Sequence, residues 1–269
     1  HSAGLGNLRL EVIRWTYPEH ASGRDADELL AQNFPRFARL RATPGGRGRY
    51  SNFGYLLLGS VVERVSGKAY EDYVRDNILE PLGMELTGFT ISDGMRERLA
   101  SGCHPIVDFQ TLFLPALDDV DAYVREVDEG RIWLAPFYLH ANAYGGAMGP
   151  VTDASRLLQA LMEDGGGILE PRTVQTMLYE HRVRAGPSTV APPYYRRAGM
   201  QHALGLWVFP SDDGERLEHT GAGLGFASLV RMYPRDRLTV ALLANGTSLD
   251  REGIADRVYE IFHDAGAME

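Results

Sequence analysis

The sequence predicts an α+β fold, an antiparallel sheet with a C-terminal helix packed against a helical subdomain. Three observations predict it. Apolar residues recur at three- and four-residue spacing in several stretches before residue 180. Strand-like runs joined by short turns are gathered after residue 202. Helices come first and strands last instead of alternating, which separates α+β from a βαβ architecture. The 269 residues, 44% apolar and 23% charged, suffice for one large domain with a substantial core.

Taking the elements in order, residues 24 to 41 carry Leu29, Leu30, Phe34, Phe37 and Leu40 at helical spacing, with Pro35 as the expected break. Thr43-Pro44-Gly45-Gly46 is a loop. Ser51 is placed to cap a helix from Asn52 to Ser66 that Gly67 closes. Its inward face is read as Phe53, Leu57, Val61 and Val65. Ala69 to Leu79 is a second helix with Tyr70, Tyr73, Val74 and Ile78 inward, closed by Pro81-Leu82-Gly83-Met84. Residues 85 to 150, with Pro105, Pro115 and Pro136, read as long loops with short elements. Thr152 or Asp153 caps a helix to Met162, stopped by Gly165-Gly166-Gly167, and Glu170 to Tyr179 forms a shorter one. Residues 185 to 200 read as a surface loop or lid.

The end of the chain is an antiparallel meander of Ala203 to Phe209, Arg216 to Thr220, Gly225 to Met232 and Leu238 to Leu243. Its turns fall at Ser211 to Gly214, Gly221 to Gly223 and Pro234-Arg235-Asp236. Leu249 to Asp264 is the last helix, with Ile254, Val258, Ile261 and Phe262 on one face. The whole reads as a single domain, residues 1–269, with a helical subdomain over about 25–200 and the sheet and final helix over about 201–266.

Composition excludes several function classes. A net charge of −9 without an Arg-dense stripe disfavours nucleic acid. All basic residues but Lys68 are arginine, which follows most simply from base composition. Cys103 is alone, so no internal disulfide forms. The longest apolar run, Phe53 to Val62, is too short to span a membrane. His104, His140, His181, His202 and His263 lack metal-type spacing, so neither metal nor cofactor is expected. No Gly-x-Ser-x-Gly elbow and no phosphate loop appear. The chain begins at His1 and not at methionine, so residues are expected upstream; cytoplasmic and exported locations both stay open.

Two clusters carry candidate chemistry. Tyr50 is a poor base at a free pKa of about 10, but beside a cation it releases its proton and can relay protons to a hydroxyl. Asn52 both donates and accepts, which suits gripping a substrate amide. On an edge strand facing a cleft, His219 and Thr220 can hold a carboxylate or carbonyl. Gly221 admits close backbone approach, and the N–H of Ala222 can point at a developing oxyanion. Taken singly, each cluster has a bland reading: a core tyrosine at a helix start, and a strand ending in a glycine turn.

Their order and surroundings say more. Pro44 through Tyr50-Ser51-Asn52-Phe53-Gly54-Tyr55 to Pro81-Leu82-Gly83-Met84 resembles the serine β-lactamase and DD-peptidase superfamily around its Tyr-x-Asn motif. So do Gly145-Gly146-Ala147 with Thr152-Asp153, Gly205-Leu206-Trp207, His219-Thr220-Gly221 to Gly225, and Leu243-Ala244-Asn245-Gly246. His1 to Leu5 resembles the turn that follows the nucleophile helix. The likeness is closest to the class C β-lactamase, penicillin-binding-protein and esterase branch. It implies a serine hydrolase that cleaves an ester, amide, peptide or β-lactam through an acyl-enzyme.

Two departures qualify what the resemblance implies. The family's Ser-x-x-Lys is missing, since no serine lies three residues before Lys68, the single lysine. The nucleophile and the strands before it are expected on an absent N-terminal fragment or a swapped protomer. His219 also stands where lactamases carry lysine, and a free imidazole of pKa about 6.5 is only about a quarter charged at pH 7. That favours ester or peptide hydrolysis over penicillin chemistry. The rival reading is a binding or interaction module that keeps the cleft without the nucleophile. If the family reading holds, Tyr50, Asn52 and His219 meet at one cleft, and exposed apolar residues gather beside the Asn52 to Ser66 helix and the C-terminal sheet.

Overall fold

A computed structural model describes residues 1–7, 15–23, 26–37, 39–108, 111, 114, 117, 119–140, 142–186, 199–211 and 214–264. Chain order begins with β1 (Thr16–Pro18), α1 (Ala26–Phe37), α2 (Asn52–Ser66), α3 (Tyr70–Val74) and α4 (Asp93–Arg96). There follow β2 (Cys103–Pro105), β3 (Val124–Asp128), β4 (Arg131–Leu134), β5 (Phe137–Leu139), α5 (Val151–Met162) and α6 (Pro171–Gln175). Strands β6 (Val183–Arg184), β7 (Gln201–His202), β8 (Trp207–Ser211), β9 (Gly214–Gly223), β10 (Phe226–Tyr233) and β11 (Leu238–Ala244) precede α7 (Arg251–Asp264).

The expected sheet forms, antiparallel throughout, in the order β11-β10-β9-β8-β7-β6. Helices cover both its faces. Leu158 of α5, with Val174 and Leu178, packs on Val208, Leu217 and Met232. Ala255 of α7 packs on Leu229, Tyr233 and Val240 from the opposite face. A second core joins α1 and α2 through Leu29, Leu30, Phe37, Phe53 and Leu56. No described helix is long and apolar enough to cross a membrane.

The capping of α2 follows the sequence. Ser51 is extended and its Oγ accepts the Gly54 N–H, while Gly67 takes a left-handed φ of 71° and donates to the Glu63 carbonyl. The inward face differs from expectation. Phe53, Leu56, Gly59 and Ser60 are buried, whereas Val61 and Val65 are exposed. The helix is apolar nearly all round, so periodicity does not choose a face. Close approach chooses it: a Cβ on Gly59 would come within 2.6 Å of the Ala143 Cβ.

Other elements shift for local reasons. Pro35 lies inside α1 without breaking it. After α3 the chain runs on as a π-turn, Arg75–Leu79, so Leu79 becomes the buried residue while Tyr70, Tyr73, Val74 and Ile78 are only partly covered. Pro150, not Thr152 or Asp153, occupies the cap position of α5; Asp153 is buried in the first turn and accepts from Thr87 and Arg156. Residues 85 to 150 hold one small sheet, β2-β4-β3, and the strand β5 of a second, whose partner β1 had no sequence signal. β9 continues through Gly221-Gly223, which moves the turn to Leu224-Gly225. α7 starts at Arg251, two residues later than read, and turns Ala255 inward while Ile254, Ile261 and Phe262 are exposed. Most of the expected lid, residues 187–198, lies outside the described residues.

Leu58, Val61 and Val65 of α2 and Leu243 of β11 are exposed apolar residues, and so are Ile261 and Phe262 of α7, where the sequence placed none.

The corrected face of α2 makes a direct expectation. Leu56 is 1% exposed and Val65 83%. Leu56→Ala should destabilise by about 2–5 kcal/mol, and Val65→Ala by no more than about 0.5 kcal/mol. Urea unfolding of the two variants checks this; comparable losses would restore the face first read from the sequence.

Candidate active site

Tyr50 is held from both sides. Residues 1–7 run along the segment that leads into α2: Gly45 donates to the Ser2 carbonyl, Arg49 to the His1 carbonyl, and Asn52 to Asn7 Oδ1 at 2.8 Å. The Ser51 N–H donates to His1 Nδ1 at 3.1 Å, and Ser51 Oγ donates to the Gly6 carbonyl. On the other side, the Gly48 N–H donates to the Arg184 carbonyl and Gly186 donates back to Gly48, both at 2.8 Å. Glycine is required here by contact: a Cβ at 48 would stand 2.3 Å from His202 Cδ2. The segment before Tyr50 therefore docks on β6 with the His202 ring beneath it.

The second half of the site is the end of β9. β8 pairs with β9 only as far as Trp207↔Glu218, while β10 continues to Phe226↔Gly223. The expectation of an edge strand is thus corrected. β9 is interior in the sheet, and its last five residues, His219 to Gly223, form a local edge beyond the reach of β8. Thr220 is half-buried, Ala222 is exposed, and Arg251 at the head of α7 donates to the carbonyls of Gly221 and Ser228.

The two halves meet through aromatic rings. His219 stacks on Trp207 with ring centroids 4.3 Å apart and planes 15° apart. Tyr50 lies 6.3 Å from His219 and 6.0 Å from Trp207. His1 packs against Tyr50 at 4.3 Å, Tyr55 at 5.0 Å and His202 at 5.3 Å. Asn52 follows one turn-residue on, half-buried at the start of α2. The structure thus brings Tyr50 to His219; Asn52 follows Tyr50 by two residues in the chain, and Thr220-Gly221-Ala222 follow His219 along β9. Sequence reading passed over His202 and Tyr55, which line the same cluster. His202 was weighed only for metal spacing, and nothing in its neighbours marks a histidine that packs under a glycine.

Burial sets the ionisation. The Tyr50 phenol is pushed up to about 12, by burial first and then by the neighbouring Tyr55. Burial lowers His219 to about 4, against a small opposing backbone hydrogen bond at Thr220. His202 is also lowered to about 4, by burial first. At pH 7 both imidazoles are therefore neutral, which replaces the partial charge expected of a free histidine. Ser51 is committed to its cap, and Lys68 lies past the far end of α2, paired with Asp76 at 2.7 Å. No group of metal-ligating residues occurs among the described residues. The arrangement offers a neutral cluster of rings beside the end of β9 that β8 does not reach.

Comparison with known proteins adds to this geometry. The family profile described as Beta-lactamase matches residues 1–264. The D-alanyl-D-alanine-carboxypeptidase/endopeptidase AmpH of Escherichia coli (strain K12) is 27% identical over 239 residues, 83% of this chain and 53% of its own. Penicillin-binding protein 4* of Bacillus subtilis (strain 168) is 25% identical over 202 residues, 73% of this chain and 39% of its own. The chain thus spans about half or less of the curated relatives it matches. Among solved structures, the octameric penicillin-binding protein homologue from Pyrococcus abyssi superposes with a TM-score of 0.67 at 26% identity, over 90% of this chain and 48% of that one. The D-amino acid amidase from Ochrobactrum anthropi SV3, solved with L-phenylalanine, gives 0.72 at 23% identity over 98% of this chain and 71% of its own; it supports the fold.

The depressed imidazoles have a pH signature. The folded pKa of His219 and His202 lies below the unfolded value of about 6.5, so the unfolded chain binds protons first. Their contribution to stability is full above about 6.5 and is lost as pH falls toward about 4. Imidazole NMR titration should give midpoints near 4 for both residues. Midpoints near the free value would show that water reaches the cluster and that the rings are not packed as described.

Proposed function

The chain belongs to the Beta-lactamase family, and from that premise we propose that it forms the substrate-gripping part of a serine hydrolase acting on an ester, amide or peptide through an acyl-enzyme. The observation that carries the reading is the meeting of Tyr50 and His219 at 6.3 Å, beside a strand end that β8 does not reach. An unpaired strand end is where an extended substrate adds main-chain hydrogen bonds.

In this reading Asn52 grips a substrate amide, and His219 and Thr220 orient a carbonyl or carboxylate. Gly221 admits the substrate to the backbone, and the Ala222 N–H faces the oxyanion. Tyr50 moves a proton between the nucleophile and the leaving group. The nucleophile and its lysine come from outside these 269 residues, on the upstream part of the protein or on a partner copy. The neutral His219 holds a carboxylate weakly, which supports esters and peptides over β-lactams as substrates. Its relatives carry peptidase and penicillin-binding names. A second reading, a binding module without catalysis, is favoured by the fully protonated Tyr50 and by the absence of a Ser-x-x-Lys from the sequence.

Labelling separates the two. The 269-residue chain alone should form no covalent adduct with a fluorophosphonate or with penicillin, since Ser51 Oγ is already bound as donor and acceptor. One serine labelled stoichiometrically would overturn the placement of the nucleophile outside the chain. The full-length protein, carrying a serine and lysine, should be labelled once; no labelling there would favour the binding module.

Substrate choice gives a further expectation. The full-length protein should hydrolyse short-chain aryl esters better than penicillins, and Tyr50→Phe should lower ester kcat by about 100-fold or more. His219→Lys should raise kcat/KM for penicillin relative to the ester, because a permanent cation replaces a neutral ring. A ratio that does not move would show that His219 has no part in the preference.

A further inference from the structure

Glu218, the residue immediately before the box, is fully buried together with Arg231. The two are direct cross-strand partners on β9 and β10, and Arg231 Nε donates to Glu218 Oε2 at 2.7 Å. The pair is tied outward. Arg231 Nη1 donates to Asp256 of α7 at 2.6 Å and to the Tyr233 hydroxyl at 3.1 Å, and Arg216 Nε donates to the same Glu218 oxygen at 3.1 Å. Glu218 is also the last residue of β9 with a strand on either side, since its other partner, Trp207, is the first residue of β8.

We propose that the Glu218–Arg231 pair sets the register of β9 and so positions the open strand end, His219 to Gly223; Glu218 and Arg231 are positioning residues for the site. The assignment of that strand end to substrate rests on the hydrolase reading above, but the register claim does not.

Three arguments carry it. Strand register is specified by side chains, and Gly221-Ala222-Gly223 offers almost none to specify it. A slip of one residue would turn Glu218 toward the apolar core around Leu158 and Leu178, away from Arg231, and leave Arg231 only Asp256 and Tyr233. A buried charge left unpaired is strongly unfavourable, so the correct register is separated from its neighbours. Finally, the pair is poorly built as a stabiliser. Glu218 Oε1 and Arg231 Nη2 are buried without a hydrogen-bond partner among the described residues. A buried ion pair so incompletely satisfied is often matched in stability by apolar residues of similar volume, whereas its directionality is not matched.

The test separates position from stability. Glu218→Leu/Arg231→Met should leave the melting temperature unchanged or raised, while amide hydrogen exchange at residues 219–223 quickens by about tenfold or more. Glu218→Gln keeps an acceptor toward Arg231; it should melt lower yet hold exchange at 219–223 within about threefold of the parent. In the full-length protein, the double variant should lose kcat on an aryl ester with little change in KM, and Glu218→Gln should retain it. Unchanged exchange at 219–223 in the double variant would overturn the proposal. Should that variant not fold, Asp256→Ala, at the half-exposed outer end of the network, takes its place: faster exchange at 219–223 supports the proposal and unchanged exchange overturns it. Hydrogen exchange needs no substrate, so a parent that turns over no ester would sink the hydrolase reading and leave this result standing.

Discussion

Where β8 begins decides the site. A tight turn, closed by the Ala203 N–H donating to the Leu206 carbonyl, joins β7 to β8 and makes Trp207 the first residue able to pair with β9. The β9–β10 hairpin runs five residues further, from His219↔Val230 to Gly223↔Phe226. That overhang makes a local edge, beyond the reach of β8, at the end of an otherwise interior strand. The same short hairpin supplies the walls. Trp207 stacks on His219, and His202, the partner of Trp207 on β7, lies under Gly48 and so under the segment that delivers Tyr50. A longer β8 would cover the edge, and a bulkier residue at 48 would push Tyr50 away from it.

The parts legible in the sequence are those fixed by local chemistry. Ser51 and Gly67 bracket α2 because capping depends on a side-chain oxygen and a left-handed backbone within a few residues. The meander of β8 to β11 was readable because its turns punctuate it, and the Tyr50 and His219 clusters stood out by residue type and order. The parts that were illegible depend on contacts distant in sequence. The buried face of α2 is chosen by Ala143 against Gly59, on a helix whose own pattern is indifferent. β1 exists because Thr16–Pro18 finds Phe137–Leu139. The local edge of β9 is a property of where β8 starts, and the strand's own residues do not encode it. His202 is placed by a glycine in another part of the chain.

Packing and ionisation pull in opposite directions at this cleft. The ring contacts that hold Tyr50, His219 and His202 in register also remove water from them, and loss of water penalises the charged form of each. The phenol rises and the imidazoles fall, so every group settles in its neutral state. Arg251, which reaches the box from the head of α7, spends its guanidinium on the Gly221 and Ser228 carbonyls and on Glu252.

Magnitudes then limit the part Tyr50 can take. A single cation about 4 Å away, at an effective dielectric of about 20, is worth about 4 kcal/mol, or about a thousandfold in proton affinity. Bringing a phenol from about 12 to neutrality calls for about a hundred-thousandfold. One lysine placed beside Tyr50 therefore does not convert it into a standing tyrosinate at pH 7. In the proposed hydrolase it is a phenol at rest and gives up its proton only while it receives another. Such a residue suits a relay, in which the hydroxyl passes a proton from nucleophile to leaving group as bonds change, better than a base that waits ionised. The burial that aligns Tyr50 with His219 is what imposes this.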